Sequence, residues 1–167
     1  MESPTTLADR LFRAINGGDE SLIRSLCAPT YRGFDASREA TQHGRIALLG
    51  DLRRLTTAFP DGRITPMHAM TEGSSAQVVW VLSGTHKGTF LGIPATQREV
   101  EVCGFSHLEF AGGTLHRAMH LWDMAGLLRR LRLLPDLPNR RSATGLRHGM
   151  NNAFRTINHG TIPQPTT

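Results

Sequence analysis

The sequence predicts an α+β fold: a curved antiparallel sheet packed against helices on one face, with room for a cavity between the layers. Three observations carry that prediction. Apolar residues recur at helical spacing as far as Phe59, the period changes to that of strands after Gly62, and glycine clusters separate the later runs.

The first helix opens at Ser3-Pro4, a cap followed by proline at the first helical position. It carries Leu7, Leu11, Phe12 and Ile15 along one side until Gly17-Gly18 stops it. A second, short helix starts at Asp19, groups Leu22, Ile23 and Leu26, and ends before Pro29. A third spans 44–59, with Ile46, Leu49, Leu52, Leu55 and Phe59 inward, and stops at Pro60-Asp61-Gly62. Three helices are therefore expected before any long strand. Strands follow over 64–70, 76–83, 99–110 and 115–124, rich in β-formers and joined as an antiparallel meander. A closing helix is expected over 126–133. Beyond Pro135 the chain holds further prolines and few large apolar residues, so the expected division is a domain over 1–134 and a basic tail over 135–167, flexible or draped over a neighbouring subunit.

A chain of 167 residues, 39% hydrophobic and 20% charged, is long enough for one domain with a buried core. No apolar run approaches the roughly 20 residues of a membrane helix, and Met1-Glu2-Ser3-Pro4 carries no basic stretch ahead of an apolar one. Neither a membrane span nor a secretory leader is expected, and the predicted location is cytoplasmic. Cys27 and Cys103 are too few for a disulfide framework or a cysteine zinc site. The net charge of +5 is uneven: from Arg129 onward seven arginines face one acid (+6), leaving 12 basic and 13 acidic residues (−1) in the body. That placement argues against a nucleic-acid-binding fold.

Two stretches carry candidate chemistry. Residues 84–96 read Gly-Thr-His-Lys-Gly-Thr-Phe-Leu-Gly-Ile-Pro-Ala-Thr, which lacks the spacing of a phosphate loop and, taken alone, is a turn-rich connection. The second runs from Gly112 to Leu131 and places Asp123 where a strand gives way to a helix. As a helix it would align His116, His120 and Asp123 as a possible metal site. As a strand it separates the two histidines by about 13 Å, and the need of the preceding strand for a partner favours this reading. Alternation then puts Arg117, Met119, Leu121 and Asp123 on one face and His116, Ala118, His120 and Trp122 on the other. In the neighbouring strand His107 shares a face with Phe105 and Glu109, so His107 can approach Asp123 across a pocket. A lone aspartate at this position is equally a helix cap, and lone histidines are commonly structural.

Together, the 84–96 stretch and Trp122-Asp123-Met124-Ala125-Gly126-Leu127-Leu128-Arg129-Arg130-Leu131 resemble the SnoaL-like polyketide cyclases, whose members typically show G-T-H-x-G-x-F-x-G-I-P-A-T-G-R and W-D-x-x-G-L-L-x-Q-L. The match covers roughly residues 4–134 and includes the Ile15-Asn16-Gly17-Gly18-Asp19 turn. The resemblance implies an NTF2-like cone, a homo-oligomer, a small polyketide-like substrate, and cofactor-free ring closure by intramolecular aldol condensation without a metal. It places the catalytic aspartate on Asp123 and a second catalytic residue on His107, with His86, Phe105, Arg117, Met119 and Leu121 around the substrate. Gln97 stands where the family has glycine and Arg130 where it has glutamine. An isomerase, hydroxylase or epoxide-opening enzyme using the same aspartate, or a non-catalytic binding module with a partner-gripping tail, are the alternatives.

Overall fold

The computed structural model describes residues 2–137, so all but the first three residues of the expected tail lie outside the described residues. Helix α1 (Pro4–Gly17) starts where Ser3 Oγ accepts the Thr6 N–H at 3.1 Å and ends at Gly18, whose φ of 66° favours glycine. Helix α2 (Glu20–Leu26), capped by Asp19, runs directly into strand β1 (Cys27–Asp35). Strand β2 (Ala40–His43) and helix α3 (Gly44–Ala58) follow, then β3 (Arg63–Glu72), β4 (Ser75–Thr85), β5 (Glu99–Ala111), β6 (Thr114–Trp122) and helix α4 (Met124–Arg130).

The strands form one sheet in the order β2-β1-β6-β5-β4-β3. The last four make the expected antiparallel meander. Strand β1 corrects the expectation of three helices before any long strand, since nine residues of strand precede α3. Its sequence hides it, because Pro29 and Gly33 are both depleted in strands. The structure accommodates each locally: the β1–β6 register shifts between Cys27 and Arg32, where Pro29 has no ladder bond to donate, and a Cβ at Gly33 would overlap Tyr31 and Gln42.

Strand β1 pairs in parallel with β6, the last strand. Beyond its end, Ser37 Oγ accepts the Trp122 N–H at 2.7 Å and donates to the Trp122 carbonyl at 2.9 Å, and Ala36 N–H donates to the His120 carbonyl at 2.8 Å. The inner sheet face then meets the helices. Val78, Trp80 and Leu82 of β4 and Leu108 and Phe110 of β5 share one core with Leu7, Leu11 and Phe12 of α1 and Leu48 and Leu49 of α3. A second cluster of Phe59, Phe90, Val100, Val102 and Leu127 closes one end. Of the residues expected inward, Leu49 and Phe59 are buried and Leu52 and Leu55 pack against the core, while Ile46 is 64% exposed and Leu48 and Ala58 are buried in addition. Among the described residues no helix is long and apolar enough to cross a membrane.

Candidate functional site

Between the inner sheet face and helices α1 and α3 lies a cavity of about 170 Å³. A space of that size exceeds a packing defect and suits a small organic guest. Its walls are mostly apolar, among them Leu11, Phe12, Leu52, Leu55, Ile64 and Leu82. Polar groups gather at one end, where β1, β2, β5, β6 and α3 converge.

Asp35, the last residue of β1, is 4% exposed and borders the cavity. Its carboxylate accepts from Ser37 N–H (3.0 Å), Arg38 Nε (2.6 Å) and, shared between both oxygens, Trp122 Nε1 (3.1 and 3.0 Å). Four contacts fill the lone-pair positions of a carboxylate, so Asp35 is an anchor with little capacity left for a ligand. What it anchors is Arg38, whose guanidinium borders the same cavity and lies 3.6 Å from Asp51.

Asp51 of α3 accepts from Gln42 Nε2 and from Arg54, and Tyr31 O–H donates to Gln42 Oε1 at 3.0 Å. Burial alone raises the Asp51 carboxyl, but the bonds from Gln42 and Arg54 and the charges of Arg38 and Arg54 outweigh it and hold the group below its ordinary value. Each Asp51 oxygen has one close hydrogen bond, which leaves acceptor capacity towards the cavity.

His120 of β6 faces Asp35 and Asp51 across the polar end. Its Nδ1 lies 2.8 Å from Ser106 Oγ of β5, and the Trp80 indole N–H donates to the same oxygen at 2.8 Å. Burial drives the His120 pKa down, the nearby Asp35 and Asp51 carboxylates oppose that shift, and Arg38 reinforces it, so the imidazole is neutral at pH 7. Gly104 completes the arrangement: a Cβ there would overlap the Trp80 ring.

The residues marked by the sequence lie elsewhere. Asp123 is exposed, caps α4 through a 2.7 Å bond from Gly126 N–H, and does not border the cavity. The predicted strand alternation holds from Arg117 to Trp122 but fails at His116, which is exposed while Leu115 is buried where the register to β5 shifts, and the face that carries Asp123 is the outer one. Arg117, Met119 and Leu121 share it and are exposed, while Phe105 and His107 sit on the outer face of β5, His107 being 3.6 Å from Glu109. The expectation that these five residues and Asp123 line the pocket is corrected by that orientation. Among the described residues no three His, Cys, Asp or Glu groups gather for a metal, and the alternative of a helical His116, His120 and Asp123 site fails because the segment is a strand.

His86 is fully buried rather than pocket-lining: Thr96 N–H donates to its Nδ1 at 3.3 Å and its ring lies 5.3 Å from Phe59. The 84–96 stretch does reach the cavity, through Thr89, Phe90 and Leu91, with Phe90 packed 5.7 Å from Trp122. Gln97, the departure from the family glycine, adopts a φ of 58°, the conformation that glycine takes without cost. Asp35, Arg38, Asp51 and Ser106 escaped the sequence reading, and His120 entered it only as a possible metal ligand. A signal existed for His120, which alternation placed beside Trp122 and Ala118.

Comparison with known proteins agrees with this architecture. Residues 5–131 match the family model described as SnoaL-like polyketide cyclase. Among solved structures, AclR from Streptomyces galilaeus, to which a hydroxylase role has been attributed, superposes with a TM-score of 0.72 at 24% identity, covering 81% of this chain and 89% of AclR. IdmH from Streptomyces antibioticus, to which a polyketide cyclase role has been attributed, gives 0.71 at 23% identity over 78% of this chain and 99% of its own. A Catenulispora acidiphila protein with a ketosteroid isomerase-like fold gives 0.68 at 18% identity, covering 80% of this chain and 96% of that one. A comparison with curated proteins finds no similar sequence. With its cone of sheet and helices closed over an apolar cavity, and a family match across most of its length, the chain belongs to the SnoaL-like polyketide cyclases.

Proposed function

We propose that the protein closes a ring in a small poly-carbonyl substrate by intramolecular aldol condensation, using the polar end of the inner cavity rather than Asp123. One observation carries this reading: a carboxylate with spare acceptor capacity, an arginine and a neutral imidazole border the same end of an apolar cavity.

A methylene between two carbonyls is acidic enough for a carboxylate to deprotonate. Asp51 takes that proton. The enolate carbon attacks a second carbonyl carbon of the folded substrate, forming the carbon–carbon bond, and the protonated Asp51 returns its proton to the new alkoxide. Arg38 and His120 stabilise the negative oxygen that develops between these steps. The lowered Asp51 pKa weakens its pull on a proton but keeps it ionised at neutral pH. The apolar walls hold the flexible substrate in a reactive fold, which lowers the barrier by proximity.

The test is product analysis by mass spectrometry and NMR with linear poly-β-ketone esters, comparing wild type with three variants. Asp51→Asn and His120→Phe are expected to lose about 10²–10⁴-fold in turnover while Asp123→Asn stays close to wild type. The reverse order would return the chemistry to Asp123. A product with unchanged ring count, or one that requires oxygen, would replace cyclisation by isomerisation or hydroxylation in this pocket.

The depressed His120 pKa also fixes the sign of a pH effect. Between that lowered value and the ordinary 6.5, the unfolded chain binds the proton more readily than the native state. His120 therefore contributes stability fully above pH 6.5 and loses it as the pH falls below. Thermal melts of wild type and His120→Phe from pH 7.5 to 5 should converge on the acid side.

A further inference from the structure

The hydroxyl of Ser106 has one proton, and the surrounding geometry determines where it goes. The Trp80 indole N–H is a donor only, so at 2.8 Å it must point at Ser106 Oγ and occupy one of its lone pairs. Ser106 borders the cavity but is only 1% exposed, so its own proton turns to a protein acceptor. Among the described residues the remaining partner of Oγ is His120 Nδ1 at 2.8 Å. If Nδ1 carried a proton, Ser106 would accept twice and its buried hydroxyl hydrogen would have nowhere to go, an arrangement that folded proteins avoid. The hydroxyl therefore donates to Nδ1, and a neutral imidazole that accepts at Nδ1 carries its hydrogen on Nε2. No protein group among the described residues bonds Nε2, and the ring borders the cavity.

We infer that the Trp80–Ser106–His120 chain locks His120 in the Nε2–H tautomer, so that it acts on the substrate as a neutral hydrogen-bond donor to the oxygen of a carbonyl on its way to an enolate. The inference rests on the cavity reading above and deepens it: the imidazole is the oxygen-holding group, proton abstraction falls to a carboxylate, and Ser106 is a positioning residue. It also names what the pocket selects, a ligand with an acceptor oxygen at the β5–β6 wall beside Arg38. A ligand that offers only an N–H donor there meets the imidazole N–H and the arginine with no acceptor of its own.

The tautomer can be read without any substrate. Long-range ¹H–¹⁵N correlation spectra of the full chain labelled at histidine, with His120 assigned by its absence in His120→Phe, should show hydrogen on Nε2 and a bare Nδ1 at pH 7–8. In Ser106→Ala the hydrogen should spread over both nitrogens; in Ser106→Thr, which keeps the hydroxyl, it should stay on Nε2. With a turned-over substrate, Ser106→Ala is expected to lower kcat by about tenfold with KM little changed, less than the roughly 10²–10³-fold of losing the donor itself, and Ser106→Thr to restore it. A wild-type spectrum with hydrogen on Nδ1 would overturn the inference and make His120 a base, leaving the cavity as the active site. Full turnover by His120→Phe would overturn the cavity reading instead, whatever the tautomer.

Discussion

The two faces of β6 carry similar side chains to different ends. On the inner face Ser106 holds His120 Nδ1 and Asp35 holds the Trp122 indole N–H, each across to a different strand. On the outer face Arg117, Met119 and Leu121 stand exposed, and the side chain of Asp123 beyond them bonds the start of its own helix. Chemistry needs groups held in place by others, and only one face offers that. An aspartate in a family motif can therefore serve the fold while its strand neighbour, one residue away, serves the site.

That contrast can be broken or sharpened by substitution. The largest effect on stability is expected at Asp35→Ala, which strips Arg38 and the Trp122 indole of their buried partner. About 3 kcal/mol should be lost, read from the urea midpoint, since Asp51 still offers Arg38 a distant partner. Next comes Gly104→Ala, whose methyl would displace the Trp80 ring. A loss of about 2 kcal/mol is expected, together with a change in Trp80 fluorescence as the bond to Ser106 is disturbed. The smallest is Asp123→Ala, where removal of a helix cap should cost about 1 kcal/mol. If Asp123→Ala instead left stability unchanged and abolished turnover, the contrast between the faces would be reversed.

Much of this fold is legible in the sequence because its elements announce themselves locally. Ser3-Pro4 and Gly17-Gly18 bracket α1, and β5 alternates cleanly along its length. Strand β1 is not legible, because Pro29 and Gly33 are tolerated only through its register shift and the packing of Tyr31 on Gln42. Losing β1 from view also removes Asp35 from consideration. The face assignment fails for a related reason: alternation sorts residues into two sets, and naming the inner set requires knowing where the helices lie. Ser106 and Ala118 mark the inner set only once Leu108, Phe110 and Leu115 are known to meet α1.

The bond between Asp35 and Trp122 spans 87 residues of chain. Such a contact closes a long loop, whose entropic cost falls when the strands between have already brought its ends together. A ligand seated against His120 and Arg38 bridges the first strand to the last. Its grip would be felt as slower opening of the whole chain, and hydrogen exchange along β1 would report occupancy of a site that β1 itself helps to build.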